Sequence, residues 1–162
     1  MPSITIIIEL LNGEKITMYF TILPDGWGDY DDGMILCSPK EMGMQKSIDD
    51  LVRVLEDGVI LDSEYGHGKI FKEDVSEYVS EDFIASAKEF LEKVKSIPSM
   101  DDIKEIGVTL SYNVDDMDSD EYIEQTTTYV YNRVNKAYTY NINGDFYDDD
   151  TYFSDYKDAV RV

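Results

Sequence analysis

One cysteine and one histidine are all that 162 residues contain of the two most versatile catalytic side chains. A lone Cys37 excludes an intrachain disulfide and fits a reducing cytosol. With His67 it supplies two of the roughly four ligands that structural zinc needs, so that site is excluded. A Cys–His nucleophilic pair is arithmetically open, but no local motif supports it. His67 sits in Gly66-His67-Gly68, which reads as a mobile loop, and Cys37 reads as a buried thiol. No glycine-rich phosphate loop occurs. No run reaches the ~18 apolar residues of a membrane span. Glu9 breaks the apolar run Ile4–Leu11, and no basic segment precedes it, so the start reads as a strand and not a signal peptide.

Bases are scarce too. Lys and Arg number 14 against 35 Asp and Glu, a formal charge of −21 and a pI near 4.1. Solubility alone needs ~2–8 charges on a small domain, and self-repulsion of this size opposes compaction. The sign excludes phosphate backbones and anionic membrane surfaces as direct partners. Basic proteins and metal cations remain.

What is present belongs to a folded chain. Hydrophobic residues make up 43% and aromatics 12%, enough to build a core despite the charge. The length suits one domain over residues 1–162. Ile4, Ile6, Ile8 and Leu10 alternate, as do Ile16, Met18, Phe20 and Ile22, with Asn12-Gly13 between. This is a hairpin. A two-residue loop would send the two apolar sets to opposite faces. A three-residue loop, Leu11-Asn12-Gly13 with Gly13 left-handed, puts both on one face and is the expected form.

Met34–Cys37 is long enough for a short strand. Ser47 caps a helix showing Ile48, Leu51, Val52 and Leu55, with Asp50 completing the capping box and Gly58 as the stop. Ser80 caps another, with Phe83, Ile84, Ala87, Phe90, Leu91 and Val94 as its stripe; Pro98 ends it. Ile106 to Val114 alternate, and 121–131 and 136–143 are rich in Thr, Tyr and Val, predicting an antiparallel meander with a turn near Asn132–Asn135. Tyr152, Phe153, Tyr156, Ala159 and Val160 have helical spacing. The expected class is α+β: an N-terminal hairpin, two to three helices, a C-terminal meander and a short final helix.

Three segments pair acids with aromatics. The first holds Asp25, Trp27, Asp29, Tyr30, Asp31 and Asp32. The second holds Asp115, Asp116, Asp118, Asp120 and Glu121, with Tyr122 and Glu124. The third holds Asp145, Tyr147, Asp148, Asp149 and Asp150, with Phe146, Tyr152 and Phe153. Taken singly, each is an ordinary turn. Together they are what a surface opposing Arg and Lys would use: carboxylates for bidentate pairing, rings for guanidinium stacking. Asp116, Asp118 and Asp120 imitate the start of an EF-hand loop. Glu121 stands where glycine is needed and Thr127 where the bidentate Glu is needed, which refutes that motif. A solvated acidic turn with at most weak divalent binding is the expectation.

Residues 1–102 carry 22 acids and 9 bases, and residues 103–162 carry 13 and 5. The charge decorates the whole body and is no acidic tail. Size, sign and absent catalytic motifs resemble the nucleic-acid-mimicking inhibitors aimed at restriction and CRISPR systems, a resemblance of composition only. It implies a cytoplasmic, non-catalytic protein that needs no cofactor and occupies the basic surface of a nuclease or other nucleic-acid-binding protein. An immunity protein against a basic nuclease toxin predicts the same acidity. A cation-binding module or an enzyme using carboxylates alone ranks below both. Tyr-rich strands with half-exposed faces are compatible with a dimer.

Overall fold

The computed structural model describes residues 3–21, 24–25, 29–30, 32–63, 66–115, 122–143 and 153–162; side chains are described at 3–19, 35–61, 66–111, 125–143 and 153–162. The chain opens with β1 (Ser3–Leu10) and β2 (Lys15–Thr21), which pair antiparallel from Ser3↔Thr21 to Glu9↔Lys15. The loop between them is the three-residue form. Leu10 N donates to Glu14 O at 2.9 Å, Gly13 N donates to Leu10 O at 3.0 Å, and Gly13 has φ 91°. That φ lies where a Cβ is strained. Ile4, Ile6, Ile8, Leu10, Ile16 and Met18 are accordingly all buried on one face.

Short pieces follow: β3 (Pro24–Asp25) pairs with β4 (Asp29–Tyr30), and β5 (Asp32–Ile35) leads to helix α1 (Pro39–Gly43). Helix α2 (Ile48–Gly58) is capped by Ser47, whose Oγ accepts from Asp50 N at 3.1 Å. The helix ends at Gly58 as expected, without a left-handed glycine, since among the described glycines only Gly13 has positive φ. Gly58 serves close approach instead. A Cβ there would sit 2.5 Å from Cys37 Sγ and 3.2 Å from its backbone nitrogen.

Strands β6 (Val59–Ser63) and β7 (Gly66–Lys69) join β5 in a three-stranded antiparallel sheet, order β5-β6-β7. The Gly66-His67-Gly68 stretch is therefore not a loop: His67 is a strand residue opposite Asp62. Local glycine content misleads here because ladder pairing, which composition does not register, fixes the backbone.

Helix α3 (Glu81–Lys95) starts at Ser80, whose Oγ accepts from Phe83 N at 3.2 Å. It buries Ala87, Phe90, Leu91 and Val94. The meander then runs as β8 (Ile103–Asp115), β9 (Tyr122–Asn132) and β10 (Ala137–Asn143). Its second turn is closed by Asn132, whose Oδ1 accepts from the nitrogens of Val134 and Asn135. The predicted final helix is a single 3-10 turn, Tyr156–Asp158, followed by β11 (Val160–Arg161) parallel to β10.

The large sheet has the order β11-β10-β9-β8-β1-β2. One face carries the helices: α1 lies against β8 and β9, α3 against β2, and α2 against α3. Tyr129, Tyr131, Tyr138, Ile106 and Val108 are buried beneath them. Burying each such side chain is worth ~1.5–3 kcal/mol.

The other face is different. Register places its residues in rows across five strands. Ser3, Ser111, Thr126 and Asn143 share one row; Tyr19, Thr5, Thr109, Thr128 and Asn141 the next; Thr17, Ile7, Gly107, Val130 and Thr139 the third. The last row is Lys15, Glu9, Glu105, Asn132 and Ala137. None of these nineteen residues is buried, and sixteen of them are uncharged. Among the described residues no helix packs on this face.

Glu9 and Glu105 stand directly opposite one another. Partial burial and then the Glu9 carboxylate hold the Glu105 carboxyl above the ordinary Glu range. A raised folded-state pKa means that ionisation costs stability above that pKa and costs nothing below the unfolded value. Glu105→Gln is therefore expected to stabilise the fold by ~0.2–1 kcal/mol at pH 7, the size of a like-charge cross-strand pair. The gain should vanish as pH falls through the folded pKa. Urea midpoints at pH 7 and pH 4 check this; equal gains at both would exclude the charge as the cause.

A candidate partner-binding surface at one end of the sheet

Strand directions decide where the acidic segments leave the fold. β1 begins at Ser3, opposite Thr21 of β2 and Ser111 of β8, which in turn faces Thr126 of β9 and, through it, Asn143 of β10. All five belong to one end of the large sheet. From that end β2 exits toward the first acidic segment, and β10 exits at Asn143 toward the third. β8 and β9 continue past it by four further pairs, Tyr112↔Gln125 to Asp115↔Tyr122, into the second. Four pairs extend the hairpin by ~13 Å, and four strand spacings from β10 to β2 span ~19 Å. One side of the molecule thus gives rise to all three segments, although the first and third sit more than a hundred residues apart in the chain.

Among the sixteen residues singled out for partner binding, Asp25, Asp29, Tyr30, Asp32 and Asp115 are strand residues in β3, β4, β5 and β8, with side chains outside the described set. Trp27, Asp31, Asp116, Asp118, Asp120, Glu121, Asp145, Tyr147, Asp148, Asp149 and Asp150 lie outside the described residues. What the fold fixes is the set of points between which they are strung. Residues 20–34, 112–124 and 144–152 contain fourteen of the 35 acids and none of the 14 bases. Elsewhere several carboxylates, those of Asp50, Asp57, Glu89, Glu92 and Asp158 among them, have basic partners. Lys69 and Lys72 both reach Asp57 Oδ1, at 3.0 and 2.8 Å, and these hydrogen bonds hold its carboxyl below the usual range.

The third segment is clamped on its far side by groups that no sequence motif marks. Phe153 is buried with its ring edge-on to Tyr129, centroids 5.1 Å apart. Asp155 accepts from Ser38 Oγ at 2.5 Å and from Tyr138 OH at 3.0 Å. Burial, then the Asp155 charge, pushes the Tyr138 phenol far up, so the proton stays on it and the hydrogen bond persists. Ser38 also accepts from Glu41 N and so caps α1, while Lys40 pairs with Asp158 at 3.1 Å. Ser38, Tyr138 and Asp155 are distant in sequence; only the Ser38-Pro39 helix start gave a local hint.

Catalytic chemistry finds little here. Burial pushes the Cys37 thiol up to about 12, so at neutral pH it is no thiolate. Cys37 lies beyond the Ile35↔Val59 end of the small sheet and His67 at the Asp32–Asp62 end, so the fold does not pair them. Among the described residues no three His, Cys, Asp or Glu side chains are grouped to hold a metal ion, and no helix is long and apolar enough to cross a membrane. Comparison with protein-family models, curated proteins and solved structures gives no match.

Proposed function

We propose that this chain is a non-catalytic acidic inhibitor that binds the basic, nucleic-acid-binding surface of another protein. One observation carries the reading: three acid- and aromatic-rich segments without a single base leave the fold from the same end of one sheet. A rigid sheet end ~19 Å wide matches the length of about five or six phosphates along one DNA strand. Carboxylates strung from such a base compete for the Arg and Lys that would otherwise hold phosphate. The rings among them offer stacking faces for guanidinium groups. Binding is steric and electrostatic, with association steered by the −21 charge and weakened by salt.

The test is capture from lysate of the native host or of its prey, repeated at low salt and at ~0.5 M, where exposed pairs are screened, and repeated with duplex DNA as competitor. The reading requires a basic nucleic-acid-binding protein that DNA displaces and that salt releases. Recovery of a defence nuclease would place the chain among anti-restriction or anti-CRISPR inhibitors, and recovery of a toxin among immunity proteins. A partner indifferent to both salt and DNA would overturn it.

A further inference from the structure

Among the described residues the large sheet has one face under the helices and one face bare, and the bare face is nearly uncharged on a chain of −21. Three of its four described rows hold no ionisable group except Tyr19, and the only full charges among the described side chains of this face, Lys15, Glu9 and Glu105, share the row farthest from the acidic end. The middle rows carry β-branched residues and a hydroxyl contact, Thr109 to Thr128 at 3.1 Å. Solvation alone does not call for this. Edge and solvent faces of sheets are usually kept apart by charge, and this protein has acids to spare.

We infer that this face is where a second copy of the chain docks, sheet against sheet, with the strands of the two copies running in opposite directions. Three observations select that occupant. First, two bodies of −21 meet with least repulsion where each presents fewest acids, and on the described part of this face the acids are Glu9 and Glu105 alone, both in one end row; an isologous dimer sets the face against itself. Second, direction follows from charge. A dyad across the strands sets the row of Lys15, Glu9 and Glu105 against the copy's hydroxyl and amide row of Ser3, Ser111, Thr126 and Asn143. It also sends the two acidic ends to opposite extremes. Around the other end of the sheet, Lys15, Lys93, Lys104, Arg133 and Lys136 offset Glu9, Glu14, Asp101, Asp102 and Glu105, so each acidic end lies over near-balanced charge. A dyad along the strands would stack acid on acid. Third, four rows by five strands cover ~600 Å² per copy, so a pair buries ~1,200 Å², the lower bound for a specific interface. Aligned packing of two twisted sheets at about −30° fits such faces.

The dimer is weak, and its salt dependence is opposite to that of the acidic end. Screening removes repulsion between copies, so association tightens as salt rises, whereas capture of a basic partner loosens. Sedimentation velocity on the purified chain alone, from ~5 to ~500 μM and from ~0.05 to ~0.5 M salt, reads this with no partner present. A monomer–dimer equilibrium strengthening with salt is expected. Thr128→Glu should weaken it at least tenfold, and Thr5→Lys, on another strand, likewise, with unchanged far-UV circular dichroism. Lys88→Glu, exposed on α3, changes charge by twice as much as Thr128→Glu and should leave the dimer intact. A chain that stays monomeric throughout, or a dimer that survives both face substitutions, overturns the proposal and leaves the partner-binding reading untouched.

Discussion

Tyr129→Ala is expected to destabilise the fold by about 3–5 kcal/mol, the usual cost of emptying a large aromatic site. Tyr129 is fully buried at the centre of the only extensive ring cluster among the described residues. Tyr140 stacks on it at 5.6 Å, Tyr138 lies tilted at 6.1 Å, and Phe153 meets it edge-on. Each partner also has its own burial to lose, because the cavity cannot be filled from a two-layer core already interdigitated. For a chain of this size the thermal midpoint should fall by ~8–16 °C. A fall under ~3 °C would show that the cluster collapses to fill the gap and that the packing argument is wrong. The consequence reaches the functional end. Phe153 is the first described residue after the third acidic segment, and Tyr129 is what holds its ring. Variants that still fold should therefore capture partner less well, although no acid has been touched.

Neutralising that end should have the largest functional effect. Asp116, Asp118, Asp120, Asp148, Asp149 and Asp150 changed together to Asn leave shape almost constant and move the formal charge from −21 to −15. If each exposed pair with a basic partner is worth ~0.5–1 kcal/mol, affinity falls by ~10²–10⁴. The dependence on salt should flatten at the same time, since fewer charges are then screened. Stability should hold or rise, because self-repulsion is relieved; a preserved thermal midpoint excludes unfolding as the reason for lost capture. Unchanged capture by the sixfold variant would put the interface elsewhere and end the mimicry proposal.

Much of the fold is legible from residues alone because local rules agree there. Ser47 and Ser80 start helices, since each offers an oxygen to an otherwise unpaired backbone N–H. The parity of Ile4–Leu10 and Ile16–Phe20 decides the hairpin loop, since a one-residue slip would expose half of that core. Alternation from Ile106 to Val114 gives β8 without ambiguity. The misreadings have one cause. Gly66 and Gly68 look like loop residues, but ladder pairing settles their conformation, and that is a contact with another strand.

By itself, the sequence determined the composition of the chain: how many acids there are, that they travel with aromatics in three segments, and that cysteine and histidine occur once each. It could not say that the three segments share an end. That depends on β1 lying between β2 and β8, so that hairpin and meander merge into one sheet with a common polarity. Nor could it say that charge is confined to one end row on the described part of one face, since even spacing along the chain conceals sorting by side. A strand sends alternate residues to opposite faces, and only lateral pairing of five strands turns those alternate threonines into a continuous uncharged surface.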